Sequence, residues 1–156
     1  MKTGDKTKNF TLPDQNGDEH TLSDYRGKWV LLYFYPKDDT PGCTKEACTI
    51  RDHFSEFKKA NLVVLGVSVD SVESHKKFEE KYGLPFTLLA DEKKEVVKKY
   101  DVWREKLMFG KKYLGVKRMS FLIDPDQRIA KIYKSVKPSE HAEQILNDLK
   151  NLMSIK

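Results

Sequence analysis

Trp29-Val30-Leu31-Leu32-Tyr33-Phe34-Tyr35, followed at once by Pro36-Lys37-Asp38-Asp39-Thr40-Pro41-Gly42-Cys43-Thr44-Lys45-Glu46-Ala47-Cys48, decides the fold of this chain. The first run lacks polar alternation and is rich in aromatic and β-branched residues, as expected of a strand buried on both faces of a parallel sheet. A helix should follow it. Thr40 is a preferred N-cap, Pro41 falls at the first helical position where its missing N–H costs nothing, and Glu46 adds a negative charge in the opening turns. Cys43 then lies in the first turn, where amides without intrahelical partners and the positive end of the macrodipole stabilise a thiolate.

Helical spacing gives the two cysteines different surroundings. At about 100° per residue, Cys43, Ala47, Ile50, Phe54 and Phe57 form a stripe that packs on the sheet, whereas Cys48 falls about 140° away, beside Arg51, Asp52 and Ser55. Residues five apart in a helix have Cα atoms roughly 8 to 9 Å from each other, and a disulfide needs them below about 7 Å. If the pair bonds during function, the first turns must unwind.

The pattern Pro36-x-x-x-Thr40-x-x-Cys43 resembles the active-site motif of the peroxiredoxins. FYPKDDTPGCTKEAC, with its second cysteine five positions on, is similar to the PrxQ (bacterioferritin comigratory protein) subfamily. The resemblance extends over nearly the whole chain, including the Phe10 to Gly27 lead-in, the segment Gly115 to Asp124 and the closing helix. It implies a thiol-dependent peroxidase in which Cys43 is peroxidatic and Cys48 resolving. Thr40 and Arg118 would contact the thiolate and the peroxide, and Pro36, Pro41 and Gly42 would line the substrate pocket. It further implies an intramolecular Cys43–Cys48 disulfide reduced by thioredoxin or a similar dithiol, with no metal, haem or flavin cofactor. Lys117, next to Arg118, competes for the cationic role. Glu46 is read as a first-turn charge without a part in catalysis.

Working outward, residues 10 to 23 read as two short strands around Asn16-Gly17, and 24 to 28 as a polar turn. One helix is expected over 41 to 59, a buried strand over 62 to 69, and a helix over 72 to 82 capped by Asp70 or Ser71 and stopped by Gly83-Leu84-Pro85. A strand over 86 to 90 precedes a helix near 92 to 99. Residues 101 to 116 read as an irregular aromatic and basic loop that packs Trp103 and Phe109. MSFLID and RIAKIYK form a hairpin around Pro125-Asp126. Ala142, Ile145, Leu146, Leu149, Leu152 and Met153 mark one face of a final helix. The expected fold is α/β and thioredoxin-like, with an N-terminal β-hairpin extension and a central mixed sheet flanked by helices, in one domain spanning 1–156.

At 156 residues, 38% hydrophobic and 34% charged, the chain can bury a core without disulfides or metal. The net charge of +5 comes from lysines interleaved with glutamates, which reads as a solvated surface and not a nucleic-acid footprint. With no apolar run near 18 residues and no apolar leader after Met1, the expectation is a cytoplasmic protein, monomeric, with no membrane partner. In a reducing compartment, cysteines five apart suit redox chemistry better than a staple. Cys43, Cys48 and His53 fall one ligand short of a zinc site. Two rival readings remain on the same fold: a redox sensor, and a general disulfide oxidoreductase, which the absence of Cys-x-x-Cys disfavours.

Overall fold

The computed structural model describes residues 1–154. Its centre is β3 (Trp29–Phe34), in which every residue is buried, so each large side chain contributes about 1.5–3 kcal/mol by leaving water. On one side β3 pairs in parallel with β4 (Leu62–Ser68), and β4 in parallel with β5 (Thr87–Ala90). On the other side it pairs antiparallel with β8 (Met119–Ile123), which pairs antiparallel with β9 (Ile129–Tyr133). The sheet order is therefore β5-β4-β3-β8-β9. β1 (Thr11–Pro13) and β2 (Glu19–Thr21) form the N-terminal hairpin, and Leu22–Tyr25 is a 3-10 turn.

Alternation along β3 divides the core. Leu31, Tyr33 and Tyr35 face α1 (Pro41–Asp52), α2 (Phe54–Lys59), α3 (Val72–Tyr82) and α5 (His141–Ser154). Val30, Leu32 and Phe34 face Phe10, Leu12, Leu22 and α4 (Glu95–Lys99). This is the expected mixed sheet flanked by helices. No described helix is long and apolar enough to cross a membrane.

Three local expectations are corrected. The helix expected over 41–59 breaks at His53 (φ −103°, ψ 7°), whose backbone N–H is shared between the Thr49 and Ile50 carbonyls and whose imidazole Nδ1 also lies 2.8 Å from the Thr49 carbonyl. The helix expected near 92–99 begins only at Glu95, because Lys94 is left-handed and the Asp91 carboxylate takes the Val97 N–H at 2.8 Å. Residues 101–116 are no irregular loop. β6 (Trp103–Met108) and β7 (Lys111–Val116) form a regular antiparallel hairpin, in which Trp103 packs inward while Phe109 is 97% exposed at the tip.

Candidate functional site

The carboxyl end of β3 delivers the chain to Tyr35, and α1 starts six residues later with Thr40 as N-cap and Pro41 at its first position. The stripe packs as its spacing demands: Cys43, Ala47, Ile50 and Phe57 are buried and Phe54 partly so, while Cys48 is half-buried. Both cysteines are free thiols within one intact helix. Thr40 occupies the cap position without making the cap bond; its hydroxyl donates to the Lys37 carbonyl at 2.9 Å. That bond spends the hydroxyl proton within the loop. The amides of Gly42 and Cys43 lie in the first turn, where no intrahelical acceptor exists for them.

Arg118, immediately before β8, reaches this helix start. Its Nη2 donates to Cys43 Sγ at 3.3 Å and its Nη1 to Glu46 Oε1 at 2.6 Å. The neighbouring Lys117 donates its backbone N–H to the Val102 carbonyl, and the cation in contact with the Cys43 sulfur is that of Arg118. Gly42 is what permits the approach, since a Cβ there would lie 2.9 Å from Arg118 Nη2. Burial works against the Arg118 charge, but the facing Glu46 carboxylate and Cys43 outweigh it, so the guanidinium is held more firmly protonated than usual.

Glu46 is the residue that sequence reading undervalued. It is 1% exposed, and burial pushes its carboxyl up to about 7 although the Arg118 charge and hydrogen bond pull the other way. Among the described residues its Oε2 has no hydrogen-bond partner, nor has the hydroxyl of Tyr33, whose ionisation is disfavoured by burial and then by the Glu46 charge. Tyr33 fits against β4 because its register partner is Gly66, where a Cβ would lie 2.8 Å from the ring. Lys106 on β6 was also missed. Burial lowers its basicity, the Arg118 charge lowers it further, and Cys43 acts in the opposite sense. Its ammonium therefore senses both groups of the site.

The loop before the helix is anchored from α3. Asp38 is buried; its carboxylate accepts from Tyr35 (2.6 Å) and Ser74 (2.8 Å) and meets His75 Nδ1 at 2.6 Å, while its backbone N–H donates to Asp70 at 2.9 Å. His75 Nε2 lies 2.9 Å from the Leu89 carbonyl. Asp38, Asp70 and His75 are close enough for a shared ion, yet both ring nitrogens of His75 already have partners in this network. Of the expected pocket residues, Pro36 and Gly42 are half-buried and Pro41 is exposed.

The site so described matches known proteins along nearly its whole chain. The model of the AhpC/TSA family matches residues 3–132. Peroxiredoxin Bcp of Escherichia coli K12 is 48% identical over 150 residues, covering 96% of each chain, and peroxiredoxin Bcp of Bacillus subtilis is 45% identical over 152 residues, covering 97% of each. Among solved structures, a cysteine-to-serine mutant of PrxQ from Xylella fastidiosa superposes with a TM-score of 0.93 at 40% identity, covering 98% of both chains. A Xanthomonas campestris bacterioferritin comigratory protein, described for its alkyl peroxide reduction activity, does so with a TM-score of 0.86 at 39% identity, covering 91% of this chain and 90% of that one. With agreement of this depth, the chain belongs to the AhpC/TSA family and, within it, to the Bcp/PrxQ peroxiredoxins.

Proposed function

We propose that this peroxiredoxin reduces hydrogen peroxide and alkyl hydroperoxides through a Cys43 sulfenic acid and a Cys43–Cys48 disulfide. The observation that carries the assignment of Cys43 is the 3.3 Å contact between its sulfur and a guanidinium that is itself fixed by a buried carboxylate, at a helix N-terminus. The Cys43 thiolate attacks one oxygen of the hydroperoxide, the O–O bond breaks, and the departing alkoxide or hydroxide takes a proton and leaves as alcohol or water. Arg118 faces the oxygens on which charge develops, and the Thr40 hydroxyl oxygen and the first-turn amides complete the polar wall. Glu46 acts as a positioning residue that aims Arg118.

In the second step the Cys48 thiolate attacks the Cys43 sulfur, an S–S bond forms, and the sulfenic oxygen leaves as water. Since an intact α1 holds the two too far apart, this step follows unwinding of its first turns. A thioredoxin-like dithiol then reduces the disulfide by exchange. Both cysteines, Thr40 and Arg118 are on one chain, which supports a monomer as the working unit, and a dithiol-recycled pair suits the cytoplasm.

Rapid quench of reduced protein with one equivalent of hydrogen peroxide, followed by intact mass and peptide mapping without reductant, tests the reading. The expected product has lost two hydrogens, with Cys43 joined to Cys48. Cys43→Ser should abolish turnover; Cys48→Ser should keep the first peroxide reduction and lose thioredoxin-coupled cycling. A Cys48→Ser protein that cycles normally would remove Cys48 from the mechanism.

A further inference from the structure

Of the large hydrophobic side chains that are exposed among the described residues, five belong to one hairpin: Leu107 (70%), Met108 (54%), Phe109 (97%), Tyr113 (41%) and Leu114 (61%). In the β6–β7 register, Lys106 faces Tyr113 and Met108 faces Lys111 on one side of the ribbon, while Leu107 faces Lys112 and Glu105 faces Leu114 on the other. Toward its tip each side of the ribbon thus sets one exposed apolar residue beside one lysine, with Phe109 leading. Its base is anchored through Trp103 and Val116, which pack on the core. Between residues 103 and 116 the chain carries four basic residues, Arg104, Lys106, Lys111 and Lys112, against the single acid Glu105; Arg104 pairs with Asp101 at 3.2 Å and Lys112 with Glu105 at 3.6 Å, both at the surface where such pairs are weak.

A patch of this kind costs solubility unless something covers it. Its form limits what that is. The tip is convex, led by a phenylalanine at a two-residue turn (Phe109 φ 51°, Gly110 φ 77°), so it offers no groove to a partner's side chain. A second copy of the same hairpin would bring its own lysines against these. A deformable anionic layer accommodates a convex apolar tip and is attracted by the cations that flank it, in the way that amphipathic basic segments bind lipid headgroups.

We propose that the β6–β7 hairpin docks this protein peripherally on an anionic lipid surface, with Leu107, Met108, Phe109 and Leu114 entering the interfacial region and Lys111 and Lys112 at the headgroups. The base of the hairpin adjoins the reactive centre, since β7 ends at Val116, two residues before the Arg118 that contacts Cys43. Docking there holds the mouth of the Cys43 pocket close to the lipid–water boundary. The sequence reading expected no membrane partner; the surface proposed here is a reversible contact and not a span.

The test is co-sedimentation of the reduced full-length protein with vesicles of phosphatidylcholine alone and of an equal mixture of phosphatidylcholine and phosphatidylglycerol. The proposal expects binding to the mixed vesicles, little to the neutral ones, and weakening as salt rises. Phe109→Asn removes the leading apolar group while placing a residue that tolerates positive φ at that turn, so it should fold at least as well and keep its rate with hydrogen peroxide. It should nevertheless lose at least tenfold in partitioning to the mixed vesicles. Lys111→Gln with Lys112→Gln should lose about fivefold for each charge removed. No binding to the mixed vesicles overturns the proposal. So does equal binding to both vesicle types, binding untouched by Phe109→Asn, or failure to bind together with a concentration-dependent dimer that Phe109→Asn dissociates. Failure to bind vesicles together with a raised KM for the dithiol reductant in Phe109→Asn overturns it in favour of a protein partner.

Discussion

Two neighbouring segments meet at Thr40 and are held in opposite ways. The loop from Pro36 to Asp39 is bound to the body of the protein: the Asp38 carboxylate meets three side chains, its amide meets a fourth, and Asp39 is met by Lys81 and Tyr82. The first turns of α1 lack a side-chain cap, begin with a proline that has no N–H to bond, and are tied across the site by hydrogen bonds from Arg118 to Cys43 and Glu46 besides the packing of Cys43 and Ala47. A segment that must unwind to let Cys48 reach Cys43 is thus joined directly to one that must stay. The contrast teaches that local opening can be confined to the helix start, while the loop carrying Thr40 keeps its place.

The largest effect should come from removing the anchor. His75 is held at both ring nitrogens, Nε2 by the Leu89 carbonyl at 2.9 Å and Nδ1 by the Asp38 carboxylate at 2.6 Å. His75→Leu leaves Asp38 buried without that partner, a change expected to cost about 3–5 kcal/mol. Urea unfolding should register the loss, and hydrogen exchange should show residues 36–40 losing protection until they open as readily as residues 41–48. If protection of the loop is unchanged, the two segments are not held differently and the contrast is wrong.

Next in size is the pH response of the helix start. The Glu46 carboxyl titrates near 4.5 when unfolded and at about 7 when folded. Between those values the folded state binds the extra proton, so stability falls as pH rises, by roughly 3 kcal/mol in total, and is flat above. Glu46→Gln should abolish this slope in denaturant titrations run from pH 4.5 to 8 while keeping an acceptor for Arg118. A slope that survives the substitution would assign the titration to another group. Arg118→Met follows. Losing a fixed donor from the place where charge develops should lower the second-order rate with hydrogen peroxide about 100-fold in stopped-flow measurements.

What could be read from the chain beforehand was what short-range spacing carries. Pro36, Thr40, Cys43 and the stripe to Phe57 lie within about six helical turns of one another, and the strand before them announces itself by composition. Arg118 was placed through resemblance, and the structure brings it to Cys43. Its other partner, Glu46, is 72 residues away in sequence; three residues after Cys43 and four before Ile50, it lies by helical spacing on the edge of the buried stripe, but its charge argued against burial. The Asp38–His75 pair, 37 residues apart, escaped for the same reason. The hairpin from Trp103 to Val116 was hidden differently: charged residues interrupt its alternation, and its turn is Phe109-Gly110 in place of the Asn-Gly that announces such turns. The break at His53 is a local departure of one residue's backbone from helical geometry, accompanied by its imidazole turning back to the Thr49 carbonyl, which helical periodicity does not encode.

The smallest effect separates the buried part of the anchor from its exposed rim. Asp39 receives Lys81 Nζ at 2.7 Å and the Tyr82 hydroxyl at 2.6 Å, and these bonds hold its carboxyl below the usual range. Asp39 and Lys81 are exposed and Tyr82, half-buried against Phe78, meets them through its hydroxyl at the surface, where water and salt replace such contacts with little loss and where holding long side chains in place has an entropic cost. Lys81→Met combined with Tyr82→Phe should therefore leave both the unfolding midpoint and the rate of Cys43–Cys48 disulfide formation close to those of the unaltered protein, whereas His75→Leu moves both. Should the surface pair of substitutions speed disulfide formation as much as His75→Leu does, the loop would be restrained from its exposed side. The boundary between the fixed and the opening segment would then shift from Asp38 to Asp39, and the buried network would be a matter of stability alone.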